Sequence, residues 1–150
     1  MRVNVNHLLK NLIKSMNYET FNIFPTTIYL GDIDNHKKYK EDFYKVYNKF
    51  DYDDQNTVAS TVSEGYSDPL IHLEPELEKL FEEIVNHIKI YVLDVMKYKD
   101  IFNYIITKTW LSRSRNPQMS IPWHTHSTSH ISFTYYINMP PNSHHIMFAD

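Results

Sequence analysis

The feature that most constrains this chain is a change of hydrophobic period near Ile101. Before it, apolar residues recur at helical spacing. In residues 74–97, Leu77, Leu80, Phe81, Ile84, Ile88, Tyr91, Val92 and Val95 form one continuous stripe. Pro75 suits a first turn there, and Glu76, Glu78, Glu82 and Glu83 favour the positive end of the helix dipole. Residues 34–50 carry Tyr39, Phe43, Val46, Tyr47 and Phe50 at the same spacing, with Asp34 or Asn35 as cap. After Ile101 the period falls to two. Residues 104–115 are rich in Ile, Thr and Trp, 119–126 form a short second run, and 145–149 start a fourth. The third run, 131–138, alternates most regularly: Ile131, Phe133, Tyr135 and Ile137 on one face, Ser132, Thr134, Tyr136 and Asn138 on the other. Helices followed by antiparallel strands predict an α+β domain with both helices on one face of a sheet containing 104–115 and 131–138.

The remaining segments are peripheral to that plan. Residues 21–33 read as a strand (Phe24, Ile28, Tyr29, Leu30) that Pro25 interrupts and Gly31-Asp32 ends, so it belongs at a sheet edge. Residues 51–69 are polar and turn-like. Residues 1–16, with Leu8, Leu9, Leu12 and Ile13, form a short peripheral extension, and Met16 is an alternative start. Lys10, Asn11 and Lys14 break up any secretory signal core. His87, alone on the second helical stripe, reads as structural.

A length of 150 residues fits a single domain, 1–150, with a real core. A net charge of −3 argues against nucleic acid as a partner, and no apolar run reaches the roughly 20 residues of a membrane helix. The expected location is therefore cytoplasmic. The absence of cysteine excludes disulfides and thiolate metal sites, and two glycines cannot make a glycine-rich phosphate loop.

Chemistry concentrates in one place. Of nine histidines, five (His124, His126, His130, His144 and His145) fall in the last 27 residues. His124 and His126 share a face if the chain is extended there, so two neutral imidazoles can converge on one metal ion. Hydrogen bonds or water satisfy such a pair equally well. Ser132, Thr134 and Tyr136, small or hydroxylated on one strand face, look like the wall of a site. No general-base carboxylate stands beside the histidines, which ranks a Zn-dependent hydrolase last. No residue is assigned a catalytic acid–base role.

Several of these stretches together resemble the 2-oxoglutarate/Fe(II)-dependent oxygenase superfamily, in particular its small phage-type members. They are Thr109-Trp110-Leu111, the His124-Thr125-His126 pair, Tyr135-Tyr136-Ile137-Asn138-Met139-Pro140 and Ile146-Met147-Phe148, with an earlier echo in Phe24-Pro25-Thr26-Thr27-Ile28-Tyr29. The resemblance implies a double-stranded β-helix (jelly-roll, cupin-like) sandwich with the N-terminal helices on one face. It also implies an Fe(II) ion and 2-oxoglutarate as co-substrate. His124 and His126 would be the metal ligands, the second standing where the family carries a carboxylate, with His130 as its replacement; imidazole in that place suits Zn as well. Tyr136, with Ser132 and Thr134 beside it, would hydrogen-bond the far carboxylate of 2-oxoglutarate. The family's distal histidine and carboxylate-binding cation have no match here; Arg113 and Arg115 are the nearest substitutes. The resemblance therefore implies that the C-terminal strands of the domain are missing. The chain alone would turn over poorly, and a partner chain or oligomer would cover the open sheet edge. The substrate would be a protein or small molecule, met in the host cytoplasm if the protein is phage-encoded. The alternative is a non-catalytic metal-binding jelly-roll module or a degenerate oxygenase fragment.

Overall fold

The structure is a computed structural model that describes residues 18–23, 26–50, 61–62, 70–101, 103–113, 121, 123–141, 143 and 146–148. It is α+β, and the chain divides into two compact units, each assembled from separate stretches: Met1–Asn35 with Lys79–Tyr104, and His36–Glu78 with Ile105–Ala149.

The first unit is a hairpin and a helix. Strand β1 (Tyr18–Ile23) pairs antiparallel with β2 (Thr26–Gly31), in register from Tyr18↔Gly31 to Ile23↔Thr26. Directly opposed residues share a face, so Tyr18, Thr20, Thr27, Tyr29 and Gly31 lie on one side and Glu19, Phe21, Ile28 and Leu30 on the other. Tyr18 and Tyr29, diagonal neighbours on the first face, stack with centroids 5.5 Å apart. The expected single strand over 21–33 is thus two strands.

The helix of this unit, α2 (Glu78–Ile90), follows a 3-10 turn at Pro75–Leu77 and runs on as a π turn, Tyr91–Val95. Its helical stripe buries Leu80, Ile84, His87 and Ile90, with Val92 beyond. The end is closed without glycine. Lys97 takes a left-handed φ of 56°, Met96 N–H bonds the Tyr91 carbonyl at 2.8 Å and Tyr98 N–H the Val92 carbonyl at 3.0 Å. This is the usual left-handed helix stop, one residue wider because the last turn is π.

The second unit is built on α1 (His36–Val46), extended by a 3-10 turn at Tyr47–Lys49. Tyr39, Phe43 and Val46, spaced four and three apart, are its buried face. This helix packs on the Pro75–Leu77 turn, and Leu77 and Ile71 are buried with it in the same unit. Lys49 Nζ spans Glu74 (2.9 Å) and Glu76 (3.0 Å), an exposed clasp in which the bonds to Glu74 and then Glu76 raise the Lys49 ammonium, while a hydrogen bond from its own backbone first and Lys49 second lower the Glu76 carboxyl. Two short strands, β3 (Thr61–Val62) and β4 (Ser112–Arg113), pair antiparallel, and Leu70 bridges Thr109 in parallel.

The strand reading of 104–115 thus narrows to β4 and the Thr109 bridge. Residues 131–138 are not helical, but they carry no ladder partner among the described residues. The alternation in their sequence is also broken, because the chain bends at Ile137. Tyr135 and Asn138 would point to opposite faces of a strand, yet both meet α1: the Tyr135 hydroxyl and His36 Nδ1 are 2.6 Å apart, and Lys40 Nζ donates to Asn138 Oδ1 at 2.8 Å. His36 and Lys40 lie one helical turn apart, so a single helix face takes both contacts. Residues 1–16, 119–120, 122, 145 and 149 lie outside the described residues, and the described residues of 119–126 and 145–149 carry no ladder. Among the described residues no helix is long and apolar enough to cross a membrane.

Candidate metal centre

The candidate site grows from Thr109. That residue is buried, and its Oγ1 accepts from the His72 backbone N–H and hydrogen-bonds His72 Nδ1, both at 3.0 Å. Burial pushes the His72 imidazole below its ordinary range, which keeps it neutral and able to accept the threonine proton. With Thr109 fixed by this bond and by the bridge to Leu70, the next residue, Trp110, has a defined position. Its indole lies 5.5 Å from the His126 ring at a tilt of 34°, and Lys108 Nζ sits 5.6 Å from the indole centroid. His126 in turn meets His124 edge-on, with ring centroids 4.9 Å apart and planes at 79°. A turn closed by Ser129 N–H on the His126 carbonyl (3.0 Å) follows at once and fixes the chain behind the pair.

The spacing of the two rings bears on what they can hold. A ligating imidazole nitrogen lies about 2.0–2.1 Å from zinc, so two rings sharing one ion at tetrahedral or octahedral angles have centroids roughly 4.5–5.3 Å apart. The observed 4.9 Å falls inside that window. Both residues are exposed.

The rest of the expected site is less assembled. Among the described residues no group of three or more histidine, aspartate or glutamate side chains is placed to hold a metal. His130 is exposed, while His144 and His145 lie outside the described residues. Ser132, Thr134 and Tyr136 are exposed. Arg113 is engaged elsewhere, donating to the Tyr47 hydroxyl at 2.8 Å with its guanidinium 5.8 Å from that ring, and Arg115 lies outside the described residues. The separation of the two imidazoles is within the range of rings that share one ion. The pair does not by itself complete three protein ligands.

Spacing alone did not bring Trp110 and Lys108 to the histidines. They belong to a run fourteen or more residues earlier, and only the Thr109 anchor places them. Two signals were available: Lys108 and Trp110, two apart, share a face of an extended run, and Thr109-Trp110-Leu111 belongs with the histidine pair to the same resemblance. The chain matches no known protein family, no characterised protein and no solved structure.

Proposed function

We propose that this protein binds a divalent transition metal through His124 and His126, as an Fe(II)/2-oxoglutarate-dependent oxygenase does. The observation that carries the reading is the 4.9 Å separation of the two imidazoles, which suits a shared ion. The motifs that resemble the oxygenase superfamily supply the choice of iron and of a jelly-roll fold. Iron would let O2 act as the oxidant for C–H hydroxylation, one oxygen atom going to the substrate and the other to 2-oxoglutarate, which would leave as succinate and carbon dioxide. The chain's own residues have simpler tasks. His124 and His126 would give ring-nitrogen lone pairs to the ion. Trp110 backs the His126 ring and limits its rotation. The Tyr136 phenol, with Ser132 and Thr134, offers hydroxyl donors to a carboxylate.

A second reading, a metal-binding module without turnover, draws support from the lack of a third protein ligand among the described residues. Calorimetric titration with Zn(II), Co(II) and, anaerobically, Fe(II), followed by a succinate assay, separates the two. Binding that His124→Ala and His126→Ala each weaken at least tenfold, together with succinate formation, supports the oxygenase. The same binding without succinate supports the module. Titrations unchanged in both variants would refute the metal site.

A further inference from the structure

The first unit holds a histidine that the metal reading does not use. His87, in the last part of α2, is 7 % exposed and faces the hairpin. Its Nδ1 lies 2.6 Å from the Tyr29 hydroxyl, and the two rings meet edge-on at 5.8 Å. Its other nitrogen, Nε2, is buried with no hydrogen-bond partner. The ring presses directly on the β2 backbone: a Cβ on Gly31 would sit 2.5 Å from Nδ1 and 2.7 Å from Cε1.

We propose that His87 is a proton-operated latch, and that protonating its ring frees the β1–β2 hairpin from α2. In the neutral ring one nitrogen is a donor and the other an acceptor, and the Tyr29 hydroxyl serves Nδ1. An imidazolium carries N–H on both nitrogens and a full charge, which the burial of this ring between helix and hairpin disfavours. Water cannot reach the ring where it lies on Gly31, because that space does not admit even a methyl carbon. Hydrating the cation therefore requires the hairpin and helix to part.

The groups that face His87 set the balance. Burial lowers its proton affinity most. Against that act Glu83 on α2, the Asp32 backbone, the Asp34 carboxylate and the Asp32 carboxylate, all of which favour the cation. Glu83 is already occupied, its Oε1 accepting from the Asp34 N–H at 2.7 Å. Tyr29 is held as a phenol: burial first, and Tyr18 second, push it up to about 12. Tyr91, raised chiefly by burial, is also a phenol, and its hydroxyl donates to the Thr27 carbonyl at 3.1 Å. The net effect lowers the His87 proton affinity, so the closed hairpin is favoured above the ordinary histidine value and loses that advantage as pH falls below it.

The experiment is amide hydrogen exchange of the full chain at several pH values between 7.5 and 5, corrected for intrinsic rates, with the His87 ring followed by nitrogen NMR in the same samples. Below about pH 6.5, where a free histidine takes up its proton, opening of the β2 amides should rise by up to about tenfold per pH unit. His87→Gln, which cannot gain a proton in this range, should abolish that slope. Equal slopes in both proteins would overturn the proposal. If the variant does not fold, the wild-type ring decides. Its protonation in step with loss of β2 protection supports the latch, whereas a protonated ring beneath a still-protected hairpin refutes it.

Discussion

Replacing Gly31 by alanine tests whether the hairpin rests on the helix as closely as described. Gly31 does not adopt a positive φ, so its backbone would accept an L side chain, and on chain entropy alone alanine would stabilise the fold by about 0.4–1 kcal/mol. Space is the objection. The new carbon would lie 2.5 Å from His87 Nδ1 and 2.9 Å from Tyr29 Cε1, where real Cβ contacts are essentially never found. Either ring must move by several tenths of an ångström. Overpacking of this kind costs about 1–3 kcal/mol. Losing the Tyr29–His87 hydrogen bond as the rings separate costs roughly 1 kcal/mol more. The net expectation is a loss of ~2 kcal/mol, which for a chain of this size lowers the thermal midpoint by roughly 4–8 °C. Thermal and urea unfolding followed by circular dichroism measures it. The same substitution in a His87→Ala background should cost much less, because the obstructing ring is gone. A Gly31→Ala protein as stable as the parent, or more so, would refute the close approach.

Thr109→Val should cost about 1–3 kcal/mol in urea unfolding, because it strands the His72 N–H and ring that the hydroxyl now satisfies. It should also weaken metal binding, since Thr109 sets the position of Trp110; unchanged metal affinity would show that the indole is placed independently. Leu77→Ala, at a side chain 1 % exposed, should cost about 2–5 kcal/mol through the cavity it leaves, read from the urea midpoint. His72 and His87 both have lowered proton affinity, chiefly from burial. Their contribution to stability is complete above the ordinary value of 6.5 and is lost as pH falls towards their folded values. The urea midpoint should therefore drop between pH 7.5 and 5.5, and removing both histidines should flatten that drop.

The sequence by itself determined the parts whose burial repeats along one element. The stripes of α1 and α2 were legible because a helix buries every third or fourth residue whatever it packs against, and Tyr39, Phe43, Val46, Leu77, Leu80 and Ile84 are buried as their spacing requires. The His124–His126 pair was equally local, two residues whose approach to 4.9 Å needs only a short stretch of chain. Tertiary structure decided what depends on a distant partner. A strand needs a second backbone to complete its ladder, and among the described residues 131–138 has none; there, α1 meets Tyr135 and Asn138 through their side chains. The sequence suggested one interrupted strand over 21–33, whereas the pairing of Tyr18 with Gly31 makes two antiparallel strands. His87 reads in sequence as a lone polar residue on an apolar stripe. Its contact with Tyr29, 58 positions away, and with a glycine that leaves room for nothing else comes from packing, because the physics of a buried charge lies in what surrounds it.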